Sequence, residues 1–154
     1  MKPILVGLSN PYSRFPEHAL VPYPERSAGH RLYKMFEDVY AVKQCQPFYA
    51  ASFDRRNLCS TQEQAEGLKR DHKVLAQEIA QTIPPGSTVI LLGRDVLKAF
   101  TTEERPLKPT LIHPQVYDGI TWRWLPHPSG RVTQYNDPVF RMLAGMTLAD
   151  VLPL

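Results

Sequence analysis

The stretch TVILLG, residues 88–93, decides the fold class of this chain. A continuous uncharged run of this length predicts a strand that is buried on both faces, which is typical of a parallel sheet. The glycine ends the strand, and a short helix over residues 94–100 is expected to follow it. A strand, a glycine and a helix in this order predict a βα unit, from which α/β proteins are built.

Similar alternation extends on both sides of this unit. Strands are also expected at residues 2–8, 46–53 and 120–125, and helices are expected after Ser27, after Ser60 and from Pro138. The segment over residues 106–119 is rich in loop residues and allows a short hairpin. The order β-α-β-α-β-α-β-α predicts a central parallel sheet with helices on both faces.

The last predicted helix has a clear start and an apolar pattern. Asn136 or Asp137 is expected to cap it, with Pro138 in its first turn. Its inner face is predicted to carry four apolar side chains, those of Val139, Met142, Leu143 and Met146.

Length and composition limit the classes of protein to consider. The 154 residues suit one domain, and 43% hydrophobic with 21% charged residues excludes a disordered or fibrous protein. The longest aliphatic run has four residues, so we expect a soluble, intracellular protein without a membrane span. Cys45 and Cys59 are too few for a disulfide framework and are expected to be buried thiols. A net charge of +3 permits an anionic partner.

Two loops at the expected carboxyl edge of the sheet carry candidate chemistry. The first loop begins at Asn10-Pro11, where a stiffened carboxamide can hold a water or a polar ring edge, or can simply start a turn. The second loop places His127 between two prolines. A histidine there can donate a hydrogen bond to an oxygen that becomes negative during a reaction, or can be an ordinary loop residue. Ser129 and Gly130 suit a phosphate.

Taken together, these segments resemble the uracil-DNA glycosylase superfamily. The resemblance is carried by VGLSNP at residues 6–11 and by HPS at residues 127–129, which are similar to the two main motifs of the family. Two further stretches match in pattern, SAGHRL at residues 27–32 and TVILLGR at residues 88–94. The four matches occur in the family's order and span most of the chain.

The resemblance implies a single domain over residues 1–154 with a three-layer α/β/α fold and a central four-stranded parallel sheet. It implies a DNA glycosylase that hydrolyses the N-glycosidic bond of uracil or a related modified pyrimidine in base excision. Such an enzyme flips the base out of the stack and uses no cofactor and no metal. We therefore expect DNA as the partner, a monomer, and a cytoplasmic location at nucleoid or viral DNA.

The resemblance also implies roles for individual residues. His127, as a neutral imidazole, would stabilise the charge on the departing base, and Asn10 would position the attacking water. Tyr12 or Tyr23 would stack on the flipped base, and Asn57 would hydrogen-bond to its Watson–Crick edge. Three residues would contact the DNA backbone, namely Ser129, Gly130 and Arg131.

Several alternatives stay open at this point. The most active branch of the family has an aspartate where this chain has Asn10, so catalysis would depend on stabilising the leaving base or on Glu17 as a base. The second hypothesis is a catalytically weak or inactive protein of the same fold that binds nucleic acid or a nucleobase. A third hypothesis is a small α/β hydrolase or nucleotide-processing enzyme unrelated to bases.

Overall fold

The computed structural model describes residues 1–40, 44–61, 65, 72–111, 113–129 and 132–152. In this part of the chain, five strands form one sheet: β1 (Ile4–Gly7), β2 (Asp54–Asn57), β3 (Thr88–Leu92), β4 (Gln115–Tyr117) and β5 (Ile120–Leu125). Their order is β2-β1-β3-β5-β4, and every neighbouring pair is parallel except β4 with β5. The chain is therefore a mixed α/β protein with a mostly parallel sheet.

Helices lie on both faces of this sheet. The described helices are α1 (Ala28–Tyr40), α2 (Gln46–Ser52), α3 (His72–Thr82), α4 (Arg94–Phe100) and α5 (Pro138–Asp150), with short 3-10 helices at Pro16–His18 and Thr133–Asn136. One face is covered by α3 and α4, whose buried residues are Ala76, Val96, Leu97, Ala99 and Phe100. The other face is covered by α1, α2 and α5, whose buried residues include Leu32, Phe36, Tyr49, Ala144 and Leu148. None of the described helices is both long and apolar enough to cross a membrane.

Burial on both faces explains why the sequence of the central strand β3 is continuously apolar. Along β3, Val89 and Leu91 join the core beneath α3 and α4, whereas Ile90 and Leu92 join the core beneath the other helices. Because successive side chains of a strand point to opposite faces, a strand covered on both sides needs apolar residues at every position. The predictions of β3, of β5 and of the helix over residues 94–100 are confirmed.

The prediction of a strand over residues 46–53 is wrong. This segment forms α2, and the second strand is the polar stretch Asp54–Asn57 that follows it. Within α2, Tyr49 is fully buried, and its ring lies 5.4 Å from that of Phe53. The strand β2 is at the edge of the sheet and is only half-buried, so it does not need the apolar pattern that identifies a central strand.

A short hairpin adds a fifth strand to the four expected from the resemblance. Strand β4 pairs antiparallel with β5 through a turn at Asp118-Gly119. Both turn residues have positive φ angles, 55° and 74°, as a two-residue type I′ turn requires. An antiparallel partner needs only this tight turn, so it can join the edge of the sheet without a crossover helix.

Helix α5 begins as predicted but packs through a different face. The Asp137 side chain caps it by accepting a hydrogen bond from the Val139 amide, at 2.8 Å. The predicted inner face is wrong, because Val139, Met142 and Met146 are 58%, 50% and 48% exposed. The helix instead packs on α1 through small residues: a Cβ atom at Gly145 would lie only 2.2 Å from the carbonyl oxygen of Met35.

The substitution Gly145→Ala tests this helix contact. Replacing a helical glycine by alanine ordinarily stabilises a protein, whereas here the added methyl group meets backbone. We expect the free energy of unfolding to fall by about 1–3 kcal/mol, measured by urea denaturation. The exposed Met142→Ala is the control and should change stability by less than about 0.5 kcal/mol. A stabilised Gly145→Ala protein would contradict the packing of α5 on α1.

Candidate functional site

The carboxyl ends of the four parallel strands bring the candidate residues to one edge of the sheet. Asn57 is the last residue of β2, Asn10 follows β1, and His127 follows β5. Because only β3 separates β1 from β5, the ends of these two strands lie roughly 10 Å apart. Ligands of α/β proteins bind outside this edge of the sheet. The structure therefore places the two predicted catalytic residues on either side of β3 at the expected end.

His127 lies against Gly93, the residue that ends β3. A Cβ atom at Gly93 would lie 3.2 Å from Cβ of His127, so only a glycine lets the histidine come this close without displacement. Gly93 is itself held by β5: its amide donates to the Leu125 carbonyl at 2.8 Å, and its carbonyl accepts from the Trp124 indole at 3.0 Å. The end of β3 thereby fixes the backbone beside the imidazole.

Burial keeps His127 in its neutral form. Removal from water disfavours the charged imidazolium and lowers the pKa of His127, while the carboxylate of Asp95 at the start of α4 acts in the opposite direction. The effect of burial is the larger one. A neutral imidazole has one N–H donor and one acceptor nitrogen. The side chain can therefore donate a hydrogen bond to a developing anion, as the sequence predicts.

Tyr135 anchors the loop that carries His127. Its hydroxyl donates to the carbonyl of Pro126 at 2.6 Å, next to the histidine in the chain. Its own carbonyl accepts from the Arg141 guanidinium, also at 2.6 Å, which ties the 3-10 helix to α5. Burial raises the pKa of the Tyr135 hydroxyl, so it stays a donor. Sequence patterns gave no signal for this tyrosine.

The Asn10 carboxamide organises its own loop. Its nitrogen donates to the His18 carbonyl at 2.9 Å, and its oxygen accepts from the Tyr12 amide at 2.8 Å. The His18 ring in turn shares a hydrogen bond of 2.8 Å with the Ser13 hydroxyl. One N–H and one oxygen lone pair of Asn10 stay available beyond these two bonds. The residue therefore has a structural role that the sequence-based interpretation gave only as an alternative, a turn at Asn-Pro.

Asn57 presents an unpaired acceptor beside β1. Among the described residues, its Oδ1 atom has no hydrogen-bond partner although it is fully buried. A Cβ atom at Gly7 would lie 3.0 Å from this oxygen, so the glycine makes room for the carboxamide. The backbone continues the pairing here, since the Leu58 amide donates to the Gly7 carbonyl at 2.8 Å. Burying an acceptor without a donor costs about 1–3 kcal/mol, a cost that a bound donor would offset.

The remaining predicted residues are at the surface or outside the described residues. Tyr12 and Tyr23 are 73% and 63% exposed, so neither ring lies inside a closed pocket. Glu17 is exposed within the first 3-10 helix. Ser129 is half-buried, and its carbonyl accepts from the Val132 amide at 3.2 Å. The predicted DNA contacts Gly130 and Arg131 lie outside the described residues.

Metal-ligating side chains do not cluster at this edge. In the described ranges, no group of three or more histidine, cysteine, aspartate or glutamate side chains could hold an ion. Cys45 and Cys59 are buried free thiols, as predicted, and burial raises the pKa of Cys59.

We expect His127 to titrate below the usual histidine pKa of about 6.5, measured by NMR of the imidazole protons. The Asp95→Asn protein should show a lower value still, because a carboxylate that favours the charged form is lost. Since folding favours the neutral form, this histidine should also reduce stability as the pH falls below about 6.5. A His127 pKa above 6.5 would contradict the burial of the ring. A higher His127 pKa in Asp95→Asn than in the unaltered protein would contradict the effect assigned to Asp95.

The substitution Tyr135→Phe removes the hydroxyl that holds Pro126. We expect a loss of about 0.5–1.5 kcal/mol in the free energy of unfolding, measured by urea denaturation. Broadening or shifting of the His127 imidazole signals should accompany it, because the loop loses its anchor. Tyr40→Phe, which changes an exposed tyrosine, is the control and should leave both measurements unchanged.

Neither the family models nor the curated proteins match this chain. The resemblance to the uracil-DNA glycosylase superfamily therefore depends on the motifs in the sequence, and function must be inferred from the geometry of the site.

Proposed function

We propose that this protein is a DNA glycosylase that hydrolyses the N-glycosidic bond of uracil or a related modified pyrimidine in DNA. The observation that carries the proposal is that two polar groups follow strands at the same sheet edge: the buried Oδ1 of Asn57, which has no hydrogen-bond partner among the described residues, and the partly buried His127, whose pKa is lowered by burial. The helices on both faces of the sheet support the three-layer arrangement of the uracil-DNA glycosylase superfamily. Four strands of this chain are parallel, in the order β2-β1-β3-β5, which is the number that the resemblance implies, and an antiparallel strand lies at the edge.

Asn57 would select the base. In uracil, N3 carries a hydrogen and O4 is an acceptor, whereas in cytosine N3 is an acceptor and the exocyclic amine is a donor. A carboxamide offers one acceptor and a pair of donors, so its Oδ1 can accept from N3–H while its Nδ2 donates to O4. The buried oxygen would then gain the partner that it lacks among the described residues. Cytosine would leave these groups mismatched, which disfavours its binding.

His127 would stabilise the leaving base. When the bond between C1′ of the sugar and N1 of the base breaks, its electron pair stays with the base and negative charge develops on the pyrimidine O2. The neutral imidazole can donate one hydrogen bond to this oxygen, and a donor held in place beforehand loses little free energy in reorientation. The close contact with Gly93 and the Tyr135–Pro126 hydrogen bond hold the loop of His127 in this way.

Water would complete the reaction at the sugar. Its oxygen bonds to C1′ of the oxocarbenium-like sugar, and the proton it releases neutralises the departed base anion. The unused N–H and lone pair of Asn10 can position this water. Glu17 stays the alternative general base for this water, since its carboxylate is exposed on the loop that also carries Asn10. Tyr12 and Tyr23 are available to stack on an unstacked base, and Ser129 to contact the backbone.

One observation favours a second candidate function. The Asn10 side chain already makes two hydrogen bonds within its loop, and the motif has no carboxylate to activate water. A protein of this construction can bind nucleic acid or a nucleobase through Asn57 and His127 with weak or no catalysis. In either case we propose DNA as the partner of a monomer that acts in the cytoplasm, at nucleoid or viral DNA.

Oligonucleotides that carry one uracil or one hydroxymethyluracil, single- and double-stranded, test the two candidates. Treatment with alkali converts each abasic product into a strand break. We expect product with the unaltered protein and a loss of about 10²–10³-fold in rate for His127→Ala, with a smaller change in KM, because its bond forms mainly in the transition state. His113→Ala, which alters an exposed loop histidine, is the matched control.

The outcomes separate enzyme from binder. Asn57→Ala should reduce excision by weakening recognition of the base, so kcat/KM should fall while any residual activity loses its preference for uracil over cytosine. Binding to these oligonucleotides without abasic product on either strand form would overturn the glycosylase proposal in favour of the binder. Equal activity in His127→Ala and His113→Ala would remove His127 from the mechanism.

A further inference from the structure

A basic groove borders the loop that carries His127. It has a volume of about 440 Å³ and lies between α1 on one side and Pro128, Ser129, Tyr135 and Arg141 on the other. We call it the α1–α5 groove. Pro128 and Ser129 follow His127 directly in the chain, so the groove and the candidate site share this loop.

Positive charge predominates along the groove. Four basic side chains, those of Arg26, Arg31, Lys34 and Arg141, face two acidic ones, those of Glu25 and Asp38. Lys34 is paired with Glu37 at 2.7 Å, so its charge is partly compensated. The three arginines supply the field that an anion would meet.

Two of these arginines are oriented by uncharged acceptors. The Arg31 Nε donates to the Arg26 carbonyl at 3.3 Å, and Arg141 Nη1 donates to the Tyr135 carbonyl at 2.6 Å. A guanidinium has five N–H donors, so these bonds leave four donors of each arginine, and neither arginine forms an ion pair with a carboxylate of the described residues. Exposed arginines directed in this way are suited to phosphate oxygens, which they bind with paired hydrogen bonds.

The walls of the groove are mixed rather than purely polar. The apolar side chain of Met35 and the rings of Pro128 and Tyr135 line the groove together with the charged groups. A nucleotide has the same mixture, with an apolar sugar and base face next to an anionic phosphate. An acidic peptide can also carry apolar side chains, but a nucleic-acid strand has a phosphate beside a sugar and a base at every nucleotide, so the arginines together with the ring surfaces favour nucleic acid.

We propose that the α1–α5 groove binds the sugar–phosphate backbone of the nucleic-acid strand that flanks the target nucleotide, with Arg26 and Arg31 as phosphate contacts. The identity of the target nucleotide rests on the proposed function, whereas binding of the strand does not. Arg141 holds Tyr135 as well as facing the groove, so it serves both the strand and the loop of His127.

Fluorescence anisotropy with a labelled single-stranded oligonucleotide of unmodified bases tests the groove. The double variant Arg26→Gln/Arg31→Gln should bind about tenfold more weakly at 0.1 M NaCl, and the slope of log K against log salt should decrease by about 1.4, or 0.7 for each lost phosphate contact. The matched control is Lys73→Gln/Lys98→Gln, which removes the same charge from exposed positions on α3 and α4, across the sheet. It should change the affinity less than twofold, and thermal unfolding of both variants should show that they are folded.

The outcomes test strand binding in the groove separately from base excision. Equal affinity and salt slope in the two double variants would overturn the proposal that the groove binds the strand, even if both proteins still excise uracil. A loss of binding confined to Arg26→Gln/Arg31→Gln would support the groove even if no protein forms abasic product, in which case the glycosylase proposal fails alone. Polyglutamate that displaces the oligonucleotide at equal charge concentration would overturn nucleic acid as the partner and indicate an acidic peptide.

Discussion

The close approach of Gly93 to β5 is the contact on which the geometry of the candidate site depends. The amide and the carbonyl of this residue are both bonded to β5, through the Leu125 carbonyl and the Trp124 indole. Its φ angle of 94° and the nearness of His127 both exclude a larger side chain. The imidazole therefore lies against the backbone at the end of β3, and the buried Trp124 indole helps to place His127 by holding the Gly93 carbonyl.

Two other glycines act through the same physical effect. Gly7 leaves space for the Asn57 carboxamide, and a Cβ atom at Gly29 would lie 2.1 Å from the carbonyl oxygen of Val21. The chain returning from β1 therefore lies directly on the first turn of α1. Gly7, Gly29 and Gly93, which belong to three of the four matching stretches, mark places where one segment of the chain lies closely against another. Fold and candidate site share these contacts, so packing against glycines helps to place the side chains of Asn57 and His127.

The structural predictions succeeded where the sequence pattern lies within a few neighbouring residues, and failed where the structure depends on contacts with distant segments. The apolar runs of β3 and β5 and the Asp137 cap of α5 are visible in a few neighbouring residues, and the structure has them where the sequence indicates. Residues 46–53 and the buried face of α5 depend on distant partners. The aromatic residues of the 46–53 segment pack as a helix on the sheet, while the polar stretch after them forms the edge strand β2. Gly145 is buried because the backbone of Met35 in α1 lies against it. The spacing of apolar residues in one segment cannot show which surface of another segment will pack against it.

The sequence by itself determined that this is an α/β chain, and it identified Asn10 and His127 as residues that follow strands, whereas the strand that ends at Asn57 was predicted too early in the chain. These features are local, because strand burial and loop starts are written in adjacent residues. The tertiary structure alone decided that Asn10 makes two hydrogen bonds within its loop, that the Asn57 Oδ1 has no partner among the described residues, and that Arg26 and Arg31 line the same groove as Ser129. Hydrogen-bond partners and charge neighbours are contacts between segments far apart in the chain, and only the packed sheet brings those segments together.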